Sequence, residues 1–156
     1  MAKIIVAQQF CGPPNSGNGG YVCGLIAKDI EGPATAVLRA RVPLDVSLSL
    51  LSEDGAMQLK DFEGGLVGRA TPADRALLPT PPEAPSMRAA REAGARYAGH
   101  EQRIHPICFT CGPERRDGDG LRVFPGQIDG ARPATWPASG PRTWTSPTRK
   151  DWRRSK

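Results

Sequence analysis

The sequence predicts an α+β domain in which a curled antiparallel sheet wraps around a central helix. Three observations lead there: one early run with helical spacing, one long strict alternation, and two further apolar runs separated by turn residues. The alternation is the clearest of these. From 36 to 50 every even position is apolar (Ala36, Leu38, Ala40, Val42, Leu44, Val46, Leu48, Leu50), and the odd positions include Arg39, Arg41, Asp45, Ser47 and Ser49. A period of two marks a half-buried β-strand. At about 3.3 Å per residue such a strand would run for about 50 Å. A small domain cannot hold that length flat, so the strand must curl, and Pro43 on its polar side is the natural place for a bend.

The remaining elements follow in chain order. Residues 3–10 read as a short strand. Residues 11–20, Cys-Gly-Pro-Pro-Asn-Ser-Gly-Asn-Gly-Gly, are almost wholly turn-forming and read as a loop. Residues 20–30 read as a helix with Val22, Leu25, Ile26 and Ile30 on one face, stopped by Gly32-Pro33. A turn at 52–55 ends the long strand, and two further antiparallel strands, 56–62 and 66–72, are joined through Gly64-Gly65. After a Pro-rich connection at 79–85, Ser86 caps a surface helix over 87–98 with Gly99 just past its end. Arg88, Glu92 and Arg96 give that helix two i,i+4 ion pairs, and nothing in it points to a function. A Cys-x-x-Cys, a Gly-rich loop and a short strand at 121–124 complete the readable part.

Charge divides the chain. Residues 130–156 carry seven Lys and Arg against one acid, Asp151, for a net charge of +6, while the first 129 residues sum to −1. All three tryptophans, Trp136, Trp144 and Trp152, lie in that tail, which has no Ile, Leu, Val, Met or Phe. Such a segment buries too little apolar surface to offset the entropy of ordering it, so it is expected to be disordered. The tail's cations and tryptophans are of the kind that hold single-stranded nucleic acid, but a spacing of eight between tryptophans fits neither a helix nor a strand face, and no nucleic-acid role is expected. With 18 glycines and 16 prolines in 156 residues, the body is turn-rich yet still globular. Four scattered cysteines do not make a disulfide framework, no apolar run has membrane length, and the short apolar start is no signal peptide. A cytoplasmic protein with reduced thiols is expected.

The segment Ser16-Gly-Asn-Gly-Gly-Tyr-Val-Cys-Gly-Leu-Ile-Ala27, ahead of curled strands, resembles the hotdog-fold acyl-thioesterase superfamily. Many hotdog thioesterases related to phenylacetate-pathway enzymes open the central helix with His-Gly-Gly; here Asn18 stands in the histidine place, followed by Gly19 and Gly20. The resemblance covers roughly residues 1–75. It implies a hotdog-like fold that binds acyl-CoA thioesters, with hydrolysis as the family reaction, no cofactor, and a site formed between two units, hence a homodimer. A second pattern extends it. Cys11-Gly-Pro with Asn15-Ser-Gly-Asn-Gly19 is echoed by Cys111-Gly-Pro with Arg116-Asp-Gly-Asp-Gly120. Some hotdog proteins carry two units in one chain. The implied division is a hotdog-like domain at 1–99, the start of a second unit at 100–129, and at 130–156 a tail of the composition that an out-of-frame reading of a GC-rich gene would give.

The loop before the first helix carries the chemistry. A helix start presents unpaired N–H donors with positive dipole, and glycines let a ligand approach them. Such donors, here the N–H groups of Gly19, Gly20 and Tyr21 with an added amide donor from Asn18, polarise a thioester carbonyl and hold the oxyanion formed when water attacks. The candidate catalytic residues are Asn18, Gly19, Gly20 and Asp29; Asn15, Tyr21, Asp61 and Glu63 are the candidate substrate-binding residues. Asp29 enters as the acid nearest to Ala27, where the resemblance implies that a base is often found. Asp61 and Glu63 would serve only if a partner chain or second unit brings them close. The bland alternative is that the glycine loop is a tight connection and no more. A second cluster, His100, His105, Cys108 and Cys111, has the Cys-x-x-Cys-Gly of a zinc knuckle and gives an alternative reading, a non-catalytic binding domain stabilised by zinc. Against it, the histidine spacing is irregular, no second cysteine pair is present, and Cys108 and Phe109 read equally well as core residues of a strand; no metal is the primary expectation.

Overall fold

Turn residues set the order of the strands. Asp54 and Gly55 both take positive φ, 51° and 68°, the geometry of a two-residue type I′ hairpin that matches the twist of its strands. They join β3 (Ser47–Glu53) to β4 (Ala56–Lys60), with Glu53 opposite Ala56. Asp61 makes the next turn: its Oδ1 accepts the N–H of Glu63 at 3.0 Å and of Gly65 at 2.7 Å, and β5 (Leu66–Pro72) follows. With β1 (Ala2–Ile5) and β2 (Ala34–Leu38) the strands form one antiparallel sheet in the order β1-β3-β4-β5-β2. The computed structural model describes residues 1–81 and 83–128, so the basic tail lies outside the described residues.

Helix α1 (Gly19–Ala27) packs on this sheet, which gives the expected hotdog-like α+β arrangement. Val22 and Ile26, one turn apart, face a core of Val6, Val42, Leu48, Leu50, Leu59, Val67 and Ala70. Gly68 lies under the helix. A Cβ there would lie 2.8 Å from Ile26 Cδ1 and 2.9 Å from Leu38 Cδ2, so an added side chain would have to displace those two side-chain ends. The other side of α1 is open, with Gly20 and Gly24 exposed.

The single strand expected over 36–50 is instead two strands, β2 and β3, that are not neighbours. Between them the chain crosses the end of the sheet: Arg39 N–H donates to Val67 O, Val42 O accepts from Gly17, and Asp45 N–H donates to Val6 O. Asp45, at φ 56°, breaks the extended run just after Pro43. Period two persists because the crossing segment still has an inner side, where Val42 is 1% exposed while Arg41 is exposed. Alternation records burial of one face and carries no information about which strand lies alongside.

Three smaller expectations are also corrected. The first strand ends at Ile5, and Gln8–Phe10 form a 3-10 turn whose first N–H is held by Asp45 Oδ1. Ser86 does cap α2 (Met87–Ala95), accepting from Ala89 N–H, but α2 stops at Ala95 and Gly99 begins a short α3 (Gly99–Gln102). No strand forms at 121–124. Leu121 and Val123 N–H donate to Phe109 O and Thr110 O, and Arg122 between them has φ 50°, which an extended strand does not allow.

Ile26→Ala should lower unfolding free energy by about 2–5 kcal/mol, the range for emptying a buried aliphatic site. Urea unfolding followed by far-UV circular dichroism checks this; a loss under about 1 kcal/mol would place α1 outside the core.

Candidate functional site

The loop at 11–18 is held by its own backbone. Cys11 bridges Gly17, Gly12 N–H donates to Ser16 O, Ser16 N–H to Pro13 O, Gly17 N–H to Val42 O and Asn18 N–H to Phe10 O. Ser16, Gly17 and Asn18 are buried as a result. A Cβ at Gly17 would meet Val42 Cγ1 at 3.0 Å and Val22 Cγ2 at 3.1 Å, so a larger residue would make those two valines give way.

Asn18 is the N-cap of α1. Its Oδ1 accepts from Tyr21 N–H at 3.1 Å and its Nδ2 donates to Cys108 Sγ at 3.5 Å, so both ends of the amide are fixed. Tyr21 N–H and the Asn18 amide are thereby taken, so neither is the free oxyanion donor expected of it. The Tyr21 ring stacks on Phe10 at 4.0 Å, with Phe109 edge-on to both. Gly19 and Gly20 are left with backbone N–H groups that have no acceptor among the described residues. Gly19 is half-buried and Gly20 exposed. Two donors at the positive end of a helix, held by a rigid cap, form an anion-accepting feature.

The other half of this region comes from 105–124. Arg115 is 8% exposed, yet each of its N–H groups has an acceptor. Nε donates to Ile107 O at 2.8 Å, one terminal nitrogen to Asp119 O and Oδ1 at 3.1 Å each, and the other to Gln9 O at 2.7 Å and Cys11 Sγ at 3.3 Å. Phe109 N–H donates to Cys11 O at 2.7 Å and Cys11 Sγ–H to Ile107 O at 3.2 Å. Cys11 thus lies against Ile107, Phe109 and Arg115, which flank the second Cys-Gly-Pro of the sequence echo.

Asn15 and Asp61 line one cavity of about 290 Å³, together with Arg41, Ser47, Val46 and Phe62. Asp61 Oδ1 is already committed to the turn that follows it. Glu63 sits on the tip of that turn, exposed and outside the cavity lining. Asp29 is not brought to the site within one chain. It lies beyond the C-terminal end of α1, exposed and paired with Lys28 at 3.0 Å. At about 1.5 Å rise per residue it is about 13 Å along the axis from Gly20.

The His/Cys cluster does not assemble: no group of three or more His, Cys, Asp or Glu among the described residues could hold a metal ion. His100 packs edge-on to Phe124 and Tyr97, and its Nε2 is 3.3 Å from Gly94 O. His105 Nδ1 is buried without a partner among the described residues. Cys108 and Cys111 do meet, sulfur to sulfur at 3.6 Å. Burial pushes the Cys111 thiol up and the neighbouring Cys108 adds to the rise, while the nearby Tyr97 hydroxyl pulls the other way. Tyr97 itself is pushed up to about 12, first by its hydrogen bond with Cys111 and then by burial.

No family model and no curated protein matches this chain. Among solved structures it is similar to the crystal structure of a protein described as a thioesterase superfamily protein, at 17% identity and a TM-score of 0.37. That likeness covers 44% of this chain and 46% of the other, so the chain spans less than half the length of the structure it matches. Arg115 and Tyr97 are neighbours of this region that a linear reading misses. The one signal for Arg115 is that the second Cys-Gly-Pro echo is a residue longer than the first, and Arg115 lies in the longer stretch.

Two outcomes follow. Arg115→Ala strands Gln9 O and Ile107 O, at about 1–3 kcal/mol for each buried group left unpaired, and Arg115→Lys recovers only part because an ammonium lacks the fork; chemical denaturation measures both, and a near-neutral Arg115→Ala contradicts the role. Alkylation of Cys111 should keep accelerating as pH rises above 9, since only the thiolate reacts and its formation is delayed. Tyr97→Phe removes the donor that favours the thiolate and should slow the reaction further, as read by peptide mass after iodoacetamide.

Proposed function

We propose that this chain binds acyl-CoA-type thioesters at the start of α1, with the thioester carbonyl accepting from Gly19 and Gly20 N–H. The observation that carries the reading is that pair of unpartnered amides beside a cap fixed at both ends. Water attack on the carbonyl would place negative charge on the oxygen they hold, where preorganised donors act without reorganising. Asn18 serves as a positioning residue, since its own oxygen and nitrogen are spent on Tyr21 and Cys108. The cavity shared by Asn15 and Asp61 is the proposed substrate-binding surface.

Hydrolysis also needs a carboxylate to activate water. Within one chain Asp29 is remote and Asp61 holds a turn. In this reading the base therefore comes from a second unit, either a second copy or the continuation of the unit that starts at 100–129. The free outer edge of β2, paired among the described residues only with β5, is a surface on which such a unit would extend the sheet.

Titration with a non-hydrolysable acyl-CoA thioether should show saturable binding, weakened about tenfold (about 1.4 kcal/mol) in Asn18→Ala, which loosens the cap that holds the two amides in place. A panel of acyl-CoA thioesters with a thiol reagent measures turnover. Absence of both binding and turnover, or an Asn18→Ala variant equal to wild type in both, overturns the reading.

A further inference from the structure

Cys108 and Cys111 are both free thiols. Their sulfurs are 3.6 Å apart, across a single turn closed by Gly112 N–H donating to Cys108 O at 2.8 Å. A disulfide needs about 2.05 Å between sulfurs, so the gap to close is about 1.5 Å. The two sulfurs differ in access. Cys108 is 5% exposed and lies under the Asn18 amide, while Cys111 is half-buried and directs its Sγ–H at Cys108 Sγ. Cys11, the other buried thiol of this region, is 1% exposed and already engaged with Ile107 O and Arg115.

We propose that Cys108 and Cys111 form a reversible dithiol switch whose oxidation releases Asn18 from its anchor and loosens the start of α1. The oxidant is a low-molecular-weight disulfide. The Cys111 thiolate attacks one of its sulfurs, the reagent's S–S bond breaks, and one thiolate leaves. Cys108 then gives its proton to solvent and attacks the Cys111 sulfur of the mixed disulfide, expelling the second thiolate. Two protein thiols become one disulfide and one reagent disulfide becomes two thiols. The Cys108 sulfur that accepts from Asn18 Nδ2 in the reduced protein turns toward Cys111 in the oxidised one. Asn18 is buried, so the loss of this partner falls on its cap of Tyr21 N–H. The switch stands whether or not the loop binds a thioester, and its readout is independent of activity.

The full chain, equilibrated with reduced and oxidised glutathione in varied ratio and then alkylated, decides it by peptide mass and amide hydrogen exchange. The expected product has lost two hydrogens, located in the peptide holding Cys108 and Cys111, and is restored by excess reduced glutathione. Tyr21 amide exchange should be at least severalfold faster in that product. Cys111→Ser, at a half-exposed position, should abolish the two-hydrogen loss and leave Cys108 reduced; Cys108→Ser, where it folds, should hold glutathione on Cys111. The proposal is overturned if both cysteines stay fully alkylatable across the series, if wild type stops at a Cys111 adduct, if Cys11 enters the disulfide, or if Tyr21 exchange is unchanged by oxidation.

Discussion

A guanidinium removed from water has to place all five of its N–H groups on acceptors, and Arg115 does so with groups near it in sequence and others more than 100 positions away. Desolvating a cation costs several kcal/mol, which only a complete set of directed bonds offsets. That requirement fixes the relative position of 8–11 and 105–119. Once they are fixed, Phe109 completes an aromatic trio with Phe10 and Tyr21, and Cys108 reaches Asn18. The start of α1 is therefore shaped by residues some 90 positions downstream.

Much of the sheet was legible because its signals are local. Asp54-Gly55 specifies a hairpin through its own φ angles, and Val22 and Ile26 mark the buried side of α1 through their spacing. The split of 36–50 was not legible. Its alternation reports that one side is inward, and that remains true of Val42 in a segment that belongs to no strand. At 121–124 the apolar residues were visible, but the positive φ of Arg122 was not, because arginine gives no warning of it.

The site divides the same way. Asn18, Gly19 and Gly20 could be placed at a helix start from residue type alone, and the structure finds them there with Asn18 as the cap. Asp29 is the acid closest in sequence to Ala27, and a helix converts closeness in sequence into distance along its axis. Arg115 and Tyr97 act through contacts that no local pattern encodes. The contact chain from Asn18 through Cys108 and Cys111 to Tyr97 joins the loop, the Cys-x-x-Cys turn and the end of α2 into one connected region. That connection gives a reason for a Cys-x-x-Cys that holds no assembled metal cluster among the described residues.

The direct measurement is at the two amides themselves. In a ¹⁵N-labelled protein titrated with a non-hydrolysable acyl-CoA thioether, the Gly19 and Gly20 N–H resonances should shift downfield and saturate together, while Tyr21, already bonded to Asn18, moves little. Saturable shifts confined to other residues, with Gly19 and Gly20 unmoved, would contradict the assignment of this helix start as the thioester site.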